Sequence, residues 1–202
     1  PLLLSSAASD VYKRQVFTYV GFSSEYAVAG YGSATRIEQV VLLPILGINT
    51  AIISIIAQNI GAKQHNRVEQ SYFTSVRYGL CLMIIAGIII YLTAEIVPKF
   101  FSSNTDVIAY GAMYLKISAF ILPAYPIFFL SNGFFMALKK SEKAMLNNII
   151  RNVIVPILSF YIARHINADF KTFFYIWAAF QWTISLLLFA YVNYYIKNKL
   201  TK

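Results

Sequence analysis

The stretch "VVLLPILGINTAIISII", Val40–Ile56, indicates the class of fold because it contains no charged residue. It lies within a longer apolar segment, Val28–Ile60. A helix needs about 20 largely apolar residues to cross the roughly 30 Å hydrocarbon layer of a membrane. As a helix, this 33-residue segment would be about 50 Å long, so its first turns would extend beyond that layer. The segment therefore predicts a transmembrane helix.

The rest of the chain has the same character. The whole sequence is 58% hydrophobic and 12% charged, whereas soluble domains are about 45–50% apolar and about 25% charged. Consecutive long apolar segments favour an all-α polytopic membrane bundle over a barrel, whose strands are shorter and alternate. The sequence predicts four more complete spans and the remnant of a sixth: Val76–Val97, Val107–Leu138, Ala144–Ala163, Thr172–Ile196 and, as the remnant, Val16–Ser24.

The charged residues between the spans predict the orientation, because Lys and Arg are enriched in cytoplasmic loops. The loops after the first, third and fifth complete spans carry eight basic residues: Lys63, Arg67, Lys139, Lys140, Lys143, Lys197, Lys199 and Lys202. The loops at the other end carry three: Lys99, Arg164 and Lys171. We therefore expect a multi-pass protein of the plasma (inner) membrane with its C-terminus in the cytoplasm.

Several classes of function are disfavoured by the sequence. The net charge of +9 does not indicate a nucleic-acid partner, because the basic residues form no stripe interleaved with aromatic residues. Cys81 is the only cysteine and is expected to be a small buried hydrophobic residue. No paired carboxylates, Cys/His ligand set, phosphate-binding glycine loop or nucleophile motif is present. We expect no enzymatic activity, no cofactor and no metal site.

The polar segment "SSAASDVYKRQ", Ser5–Gln15, differs from everything that follows it. Its charges come after the apolar residues, which is the wrong order for a secretory signal. It is one in-frame translation of a common sequencing-library adapter that ends in a transposase mosaic end. We therefore interpret residues 1–15 as an adapter-derived, disordered artefact and expect the native sequence to begin near Val16.

The segment "AVAGYGSATRIEQVVLLPILGINTAIISIIAQNIGAK", Ala27–Lys63, closely resembles the multidrug and toxic compound extrusion (MATE) family. In that family a helix with an alanine-rich start and a mid-span Pro and Gly ends in a Gly-Gln-Asn-x-Gly-Ala signature. Ala57 stands where Gly is usual, and Gly61 is expected to end the helix before a short charged loop that contains His65 and Arg67. The signature residues that match are Gln58, Asn59, Gly61 and Ala62.

A second segment resembles the tenth and eleventh helices of the family. It reads "YLKISAFILPAYPIFFLSNGFFMALKKSEKAMLNNIIRNVIVPI", from Tyr114 to Ile157. Lys139 replaces a usual Gly in it. The matching positions are Leu115, Pro123, Arg151 and Pro156.

The resemblance implies a twelve-helix transporter made of two six-helix lobes. Residues 16–202 would be most of the C-terminal lobe, from the end of helix seven to helix twelve, and the N-terminal lobe of the same polypeptide would be missing. Such proteins are secondary active antiporters that export cationic or amphipathic compounds in exchange for H⁺ or Na⁺. Small-molecule cations and membrane lipids would be the other partners, and the fragment alone would be inactive.

Glu38 is the strongest candidate site residue, because a carboxylate inside a span is costly and usually functional. Helical spacing places Asn49 on its face and Arg36 on nearly the opposite face. Glu38 would then bind the coupling cation or a cationic substrate. Alternatively, it would lie near the outer interface and serve only packing or pairing.

A second candidate group follows Pro123 and Pro126, because helix breaks in transporters frequently line binding sites. Its members, which share one helix face, are Ser118, Tyr125 and Asn132. An aromatic ring beside a neutral amide suits an amphipathic cation, although such stripes also hold helices together. Four other polar residues are expected to serve no transport role: Glu95 to be exposed, Lys116 to snorkel to the interface, Arg151 to anchor headgroups or a loop carbonyl, and His65 to be solvated.

Two other functions remain open at this point. One is a flippase of lipid-linked oligosaccharides or polysaccharides from the same superfamily, which should present several inward Arg or Lys side chains to a pyrophosphate. The other is a structural membrane subunit that transports nothing.

Overall fold

The computed structural model describes residues 24–200, without the side chain of Lys199. The adapter segment, the remnant span apart from Ser24, and Lys202 lie outside the described residues. The elements are α1 (Glu25–Gly61), α2 (His65–Thr93), a 3₁₀ turn (Val97–Phe100), α3 (Thr105–Ile121), α4 (Ala124–Ala137), α5 (Ser141–Ile149), a π-helical segment (Ile150–Ile154), α6 (Val155–His165), α7 (Phe170–Tyr195) and a second π-helical segment (Ile196–Leu200).

The prediction of a helical membrane bundle is confirmed. Within residues 24–200 the structure contains helices and no strand. In this described range, four helical stretches are long and apolar enough to cross a membrane, and the bent pair of α3 and α4 makes a fifth if it is counted as one span. The four are Glu25–Gly61, His65–Thr93, Ser141–His165 and Phe170–Asn198.

Helix α1 packs against α2, α3 and α4. Its start is capped by Ser24, whose Oγ accepts a hydrogen bond from the Ala27 N–H at 3.0 Å. The helix continues through Pro44, although this residue has no N–H to donate to the preceding turn. The span is therefore one helix of 37 residues, longer at both ends than Val28–Ile60.

The connection from α1 to α2 is shorter than the sequence indicated. Helix α2 begins at His65 and not at Val76, so Arg67 belongs to a helix and His65 is half-buried. The turn closes through bonds from Lys63 N–H to the Ile60 carbonyl and from Gln64 N–H to the Asn59 carbonyl, both typical of a Schellman motif. Lys63, with φ of 58°, occupies the left-handed position that glycine usually fills, so Gly61 is not the residue that reverses the chain.

The predicted break in Val107–Leu138 divides this segment into α3 and α4, which meet at an angle of 52°. Pro123 causes the break because it has no N–H for the carbonyl of Ala119 and its ring opposes continuation of the helix. The Phe120 carbonyl accepts a hydrogen bond from Trp182 Nε1 at 2.9 Å, which ties the bend to α7. The bend redirects the aromatic residues of α4 towards α1.

The Ala144–Ala163 span is interrupted by a π-helical segment, Ile150–Ile154. The Val155 N–H bonds to the Ile150 carbonyl, five residues back. Pro156 follows directly and removes one donor from the ladder, which a widened turn accommodates. Such bulges frequently mark functional sites, and this one carries Arg151.

Glycines allow the helices to approach closely, as small residues do in membrane proteins. A Cβ built on Gly30 of α1 would lie 2.6 Å from the Val107 carbonyl oxygen, and one on Gly87 of α2 would lie 2.7 Å from the Ala119 oxygen. Cys81 is exposed on α2, contrary to the expectation of burial. Its neighbours one turn away, Ile84 and Ile85, are exposed as well, so this face of α2 is one that lipid would cover.

Candidate functional site

Glu38 is buried, with 6% of its surface exposed, at the point where α1, α3 and α4 meet. Its Oε2 accepts a hydrogen bond from the Tyr114 hydroxyl and its Oε1 accepts one from the Tyr125 hydroxyl, each at 2.5 Å. Short O–H···O⁻ bonds of this kind are charge-assisted and stronger than neutral ones. Two hydroxyl donors replace part of the hydration that the buried carboxylate loses.

Aromatic packing fixes the first of these donors. The Tyr114 ring meets Tyr31 of α1 and Phe174 of α7 edge-to-face, with centroids 4.9 Å apart in both pairs. Tyr31 and Phe174 also stack on each other at 5.4 Å. Edge-to-face and offset arrangements are the favourable geometries for aromatic pairs. The Tyr114 hydroxyl is therefore held towards Glu38 by three helices.

The second donor, Tyr125, also contacts a cation. The Arg151 guanidinium carbon lies 4.6 Å from the Tyr125 ring centroid, 4.3 Å from that of Phe128 and 5.0 Å from that of Phe129. Arg151 Nε donates to Gln181 Oε1 at 2.9 Å. Tyr125 thus contacts the carboxylate through its hydroxyl and the guanidinium through its ring face.

Arg151 is only 8% exposed, so the expectation that it anchors headgroups or a loop carbonyl is wrong. The π-helical turn and the aromatic residues of α4 keep its side chain inside the bundle. A buried guanidinium needs partners, and here the Gln181 oxygen and three aromatic faces provide them.

These side chains surround a cavity of about 330 Å³. Its volume is near the lower end of the roughly 300–1,000 Å³ typical of small-molecule pockets. Glu38, Arg151 and Arg36 line it, so Arg36 and Glu38 share the cavity although helical spacing separated them. The uncharged lining residues include Tyr31, Thr35, Gln39, Tyr114, Tyr125, Asn152, Trp177 and Gln181.

The structure separates the candidate residues into groups. Ser118 is buried next to the carboxylate of Glu38. Asn132 lies instead between α4 and α5, where its Oδ1 accepts a bond from Asn147 Nδ2 at 3.1 Å. Asn49 is half-buried against α4, and a Cβ built on Gly133 would lie 2.2 Å from its Oδ1.

Glu38, Tyr125 and Ser118 are therefore together, whereas Asn49 and Asn132 are not among the residues that line the Glu38 cavity. Helical spacing along α1 could not separate Glu38 from Asn49, because the two residues share a face. That face packs against different residues of the neighbouring helices at its two ends. The asparagines occupy helix–helix contacts at the other end of α4.

Several residues that line the cavity were not identified from the sequence, among them Tyr31, Tyr114, Trp177 and Gln181. Gln181 had a usable signal, since it is a polar residue near the middle of an otherwise apolar span. The aromatic residues had no such signal, because Phe, Tyr and Trp make up 16% of the sequence.

The signature residues of the α1 terminus lie away from the cavity. Asn59 Nδ2 donates to the Ile55 carbonyl at 2.8 Å, within its own helix. Gln58, Gly61 and Ala62 are exposed. Among the described residues no group of three His, Cys, Asp or Glu side chains could hold a metal ion.

The helices are those of an integral membrane protein that encloses a buried charged cavity, and the comparisons with known proteins identify its class. The MatE family model matches residues 1–162. The chain therefore belongs to the MatE family, whose members are transporters and not enzymes.

Two known proteins are similar to this chain in sequence. The chain is 27% identical over 150 residues to the probable multidrug resistance protein YpnP of Bacillus subtilis. This alignment covers 74% of this chain and 32% of that protein. The chain is 24% identical over 117 residues to an FAD transporter of Shewanella oneidensis, covering 58% of this chain and 26% of that protein.

Solved structures share the fold. A MOP superfamily transporter from Pyrococcus furiosus, described as having a binding pocket of reverse polarity, superposes with a TM-score of 0.92 at 19% identity. An outward-facing MATE family multidrug resistance transporter superposes at 0.90 with 20% identity. Both cover 98% of this chain and 45% of the other, so the chain spans less than half of these transporters.

Proposed function

We propose that the full-length protein is a secondary active antiporter that exports cationic amphipathic compounds in exchange for H⁺ or Na⁺. In this proposal residues 16–202 form the C-terminal lobe, and the Glu38 cavity faces the cleft shared with the missing lobe. The site would lie in an inner membrane with the C-terminus in the cytoplasm.

One observation carries this proposal: a buried carboxylate at the edge of a cavity, held by two phenolic hydroxyls. Carboxylates in this position are rare in membrane helices and mark ion or substrate pathways. Glu38 uses one bond from each tyrosine, and an ionised carboxylate offers about four acceptor positions. Acceptor capacity remains for a proton, a sodium ion or a substrate amine.

A second candidate function is export of amphipathic compounds that carry an anionic group, including lipid-linked ones. Such a function requires inward basic side chains, of which the sequence indicated few. In the structure, Arg36 and Arg151 both line the cavity. Among the described lining residues, two arginines against one glutamate give a net charge of +1. That balance favours an anion, and one relative is named as a transporter of FAD, an anionic dinucleotide. A structural subunit without transport is disfavoured by the family.

The two candidates are separated by transport assays on the full-length protein in liposomes. A cationic dye and FAD would be tested in parallel, each under an imposed proton or sodium gradient. For a cation exporter, Arg151→Gln removes a repelling charge and leaves dye transport intact or faster. For an anion exporter, the same change abolishes FAD transport. Arg151→Lys, which keeps the charge and loses the planar stacking, is the matched control.

The proposal fails if neither compound moves under either gradient while the protein is folded and correctly inserted. Movement of both compounds without a gradient would contradict the antiport component.

A further inference from the structure

A second cavity, of about 760 Å³, lies on the opposite side of α3 from the Glu38 site. Residues of α3 three or four apart, such as Met113, Lys116 and Phe120, form its wall. At 100° per residue, Tyr114 points about 160° away from Lys116. The two cavities are therefore separate.

The second cavity collects basic residues from three elements. Lys99 comes from the 3₁₀ turn, Lys116 from α3 and Lys171 from the first turn of α7. Among the described residues that line the cavity, Glu95, just after α2, is the one acidic residue, so their charged groups sum to +2. Charge of this sign selects an anionic ligand.

Lys116 lies farther from the end of the bundle than the other two lysines of the cavity. It lies 11 residues after the start of α3, roughly 16 Å along the helix, and its side chain is 40% exposed. Its Nζ bonds to Glu95 Oε1 at 2.6 Å, and this hydrogen bond holds the pKa of the Glu95 carboxyl below its ordinary value. Lys99 and Lys171 add two positive charges beyond this pair.

The apolar part of the lining continues onto the surface that faces lipid. Phe120 and Tyr91 line the cavity and pack edge-to-face at 5.8 Å, yet they are 64% and 47% exposed. Leu92, beside Tyr91, is 72% exposed. An anion with an attached hydrocarbon chain would contact both the lysines and these side chains, whereas a free anion would use only the lysines.

We propose that this cavity binds the phosphate headgroup of an anionic phospholipid, whose acyl chains lie along Phe120 and Leu92. The lysines attract the headgroup, and the exposed rings contact the first methylenes. The lipid belongs to the leaflet at the end of the bundle that carries the α2–α3 and α6–α7 connections, which the loop charges predict to be the outer one.

The test is native mass spectrometry of the full-length protein in mixed micelles that contain phosphatidylglycerol or zwitterionic phosphatidylcholine. The double variant Lys99→Gln/Lys171→Gln removes two exposed charges and leaves the Lys116–Glu95 pair. Lys63→Gln/Lys139→Gln, which removes two exposed lysines at the opposite end, is the matched control.

The expected result is that wild type retains phosphatidylglycerol in preference to phosphatidylcholine, and that the cavity variant retains about tenfold less of it, because each interfacial lysine attracts an anionic lipid. The control stays within about twofold of wild type, and added inorganic phosphate does not displace the lipid. Equal retention by the cavity variant and wild type would overturn the proposal. So would an equal loss in the control, or displacement by inorganic phosphate.

Discussion

At the scale of single residues, Tyr125 connects the two buried charges of the candidate site. Its hydroxyl donates to Glu38 at 2.5 Å and its ring face lies 4.6 Å from the Arg151 guanidinium carbon. The two contacts use different parts of one side chain, so substitution can remove one and keep the other. Tyr114 also donates to the carboxylate.

Tyr125→Phe is expected to weaken transport moderately in the full-length protein. It removes one charge-assisted hydrogen bond, worth about 1.5–3 kcal/mol, while the ring under Arg151 remains. The measurement is initial transport rate against substrate concentration, with protein level checked in parallel. Phe129→Leu, which changes a neighbouring ring without touching Glu38, is the control. Equal effects of the two changes would contradict a specific role for the hydroxyl.

Sequence reasoning identified Glu38, Tyr125 and Ser118 because an intramembrane carboxylate and a proline break are local signals. It misplaced Arg151, because a basic residue two turns from a span end usually reaches the interface. The π-helical turn and the rings of α4 that redirect this side chain depend on contacts between distant segments. Asn49 and Asn132 were grouped with the site because helical spacing shows which residues share a face. Spacing does not show which neighbouring helix packs against that face.

At the scale of helices, three turns each contain a non-glycine residue in the left-handed backbone conformation. Lys63, Lys139 and Asn167 have φ values of 58°, 56° and 50°. Each donates its N–H within a Schellman-type turn at the end of a helix. The spans were predicted within a few residues where apolar runs end abruptly. Helix α2 begins at His65, eleven residues before the predicted membrane span, because its first turns are polar and do not belong to the apolar run.

Lys139→Gly is expected to stabilise the protein. The left-handed conformation costs a side-chain-bearing residue about 1–2 kcal/mol, and the extra freedom of glycine in the unfolded chain offsets about 0.5–1 kcal/mol of that gain. Thermal unfolding in detergent would measure a higher midpoint. Lys140→Gly is the control, because Lys140 has φ of −105° and bonds to the Tyr195 hydroxyl. The unfolding midpoint of this variant should fall. A lower midpoint for Lys139→Gly would contradict the assignment of the turn.

Gly30→Ala is expected to destabilise the contact between α1 and α3. The new Cβ would lie 2.6 Å from the Val107 carbonyl oxygen and 2.8 Å from the Gly111 nitrogen, and backbone atoms cannot rotate away. A cost of about 1–3 kcal/mol follows from such overpacking. Gly47→Ala, on the same helix with nothing within 4 Å, should be neutral or stabilising. Similar unfolding midpoints for the two variants would contradict the helix packing.

At the scale of the whole molecule, the bundle has two chemically different ends. The turn at Lys63 and the turn at Lys139 lie at one end, and the α2–α3 and α6–α7 connections lie at the other. Lys140 and Lys143 bond to the hydroxyls of Tyr195 and Tyr191 on α7, which fixes the α4–α5 turn at its end of the bundle. The excess of basic residues at this end predicts that it faces the cytoplasm.

Cysteine labelling in intact cells tests this orientation. In a Cys81→Ser background of the full-length protein, cysteines at 103 and 167 should react with a membrane-impermeant reagent, and those at 140 and 202 should react only after permeabilisation. The background change is needed because Cys81 is exposed. The reverse labelling pattern would contradict the topology.

The central claim is that Glu38 acts in transport through its charge. Its direct test is export of the transported compound by full-length protein carrying Glu38→Gln, which keeps the size of the side chain and one acceptor oxygen but removes the charge. Glu142→Gln, an exposed carboxylate at the start of α5, is the control. We expect Glu38→Gln to reduce export strongly at an unchanged protein level and Glu142→Gln to leave it intact. Normal export by well-expressed Glu38→Gln would contradict the claim.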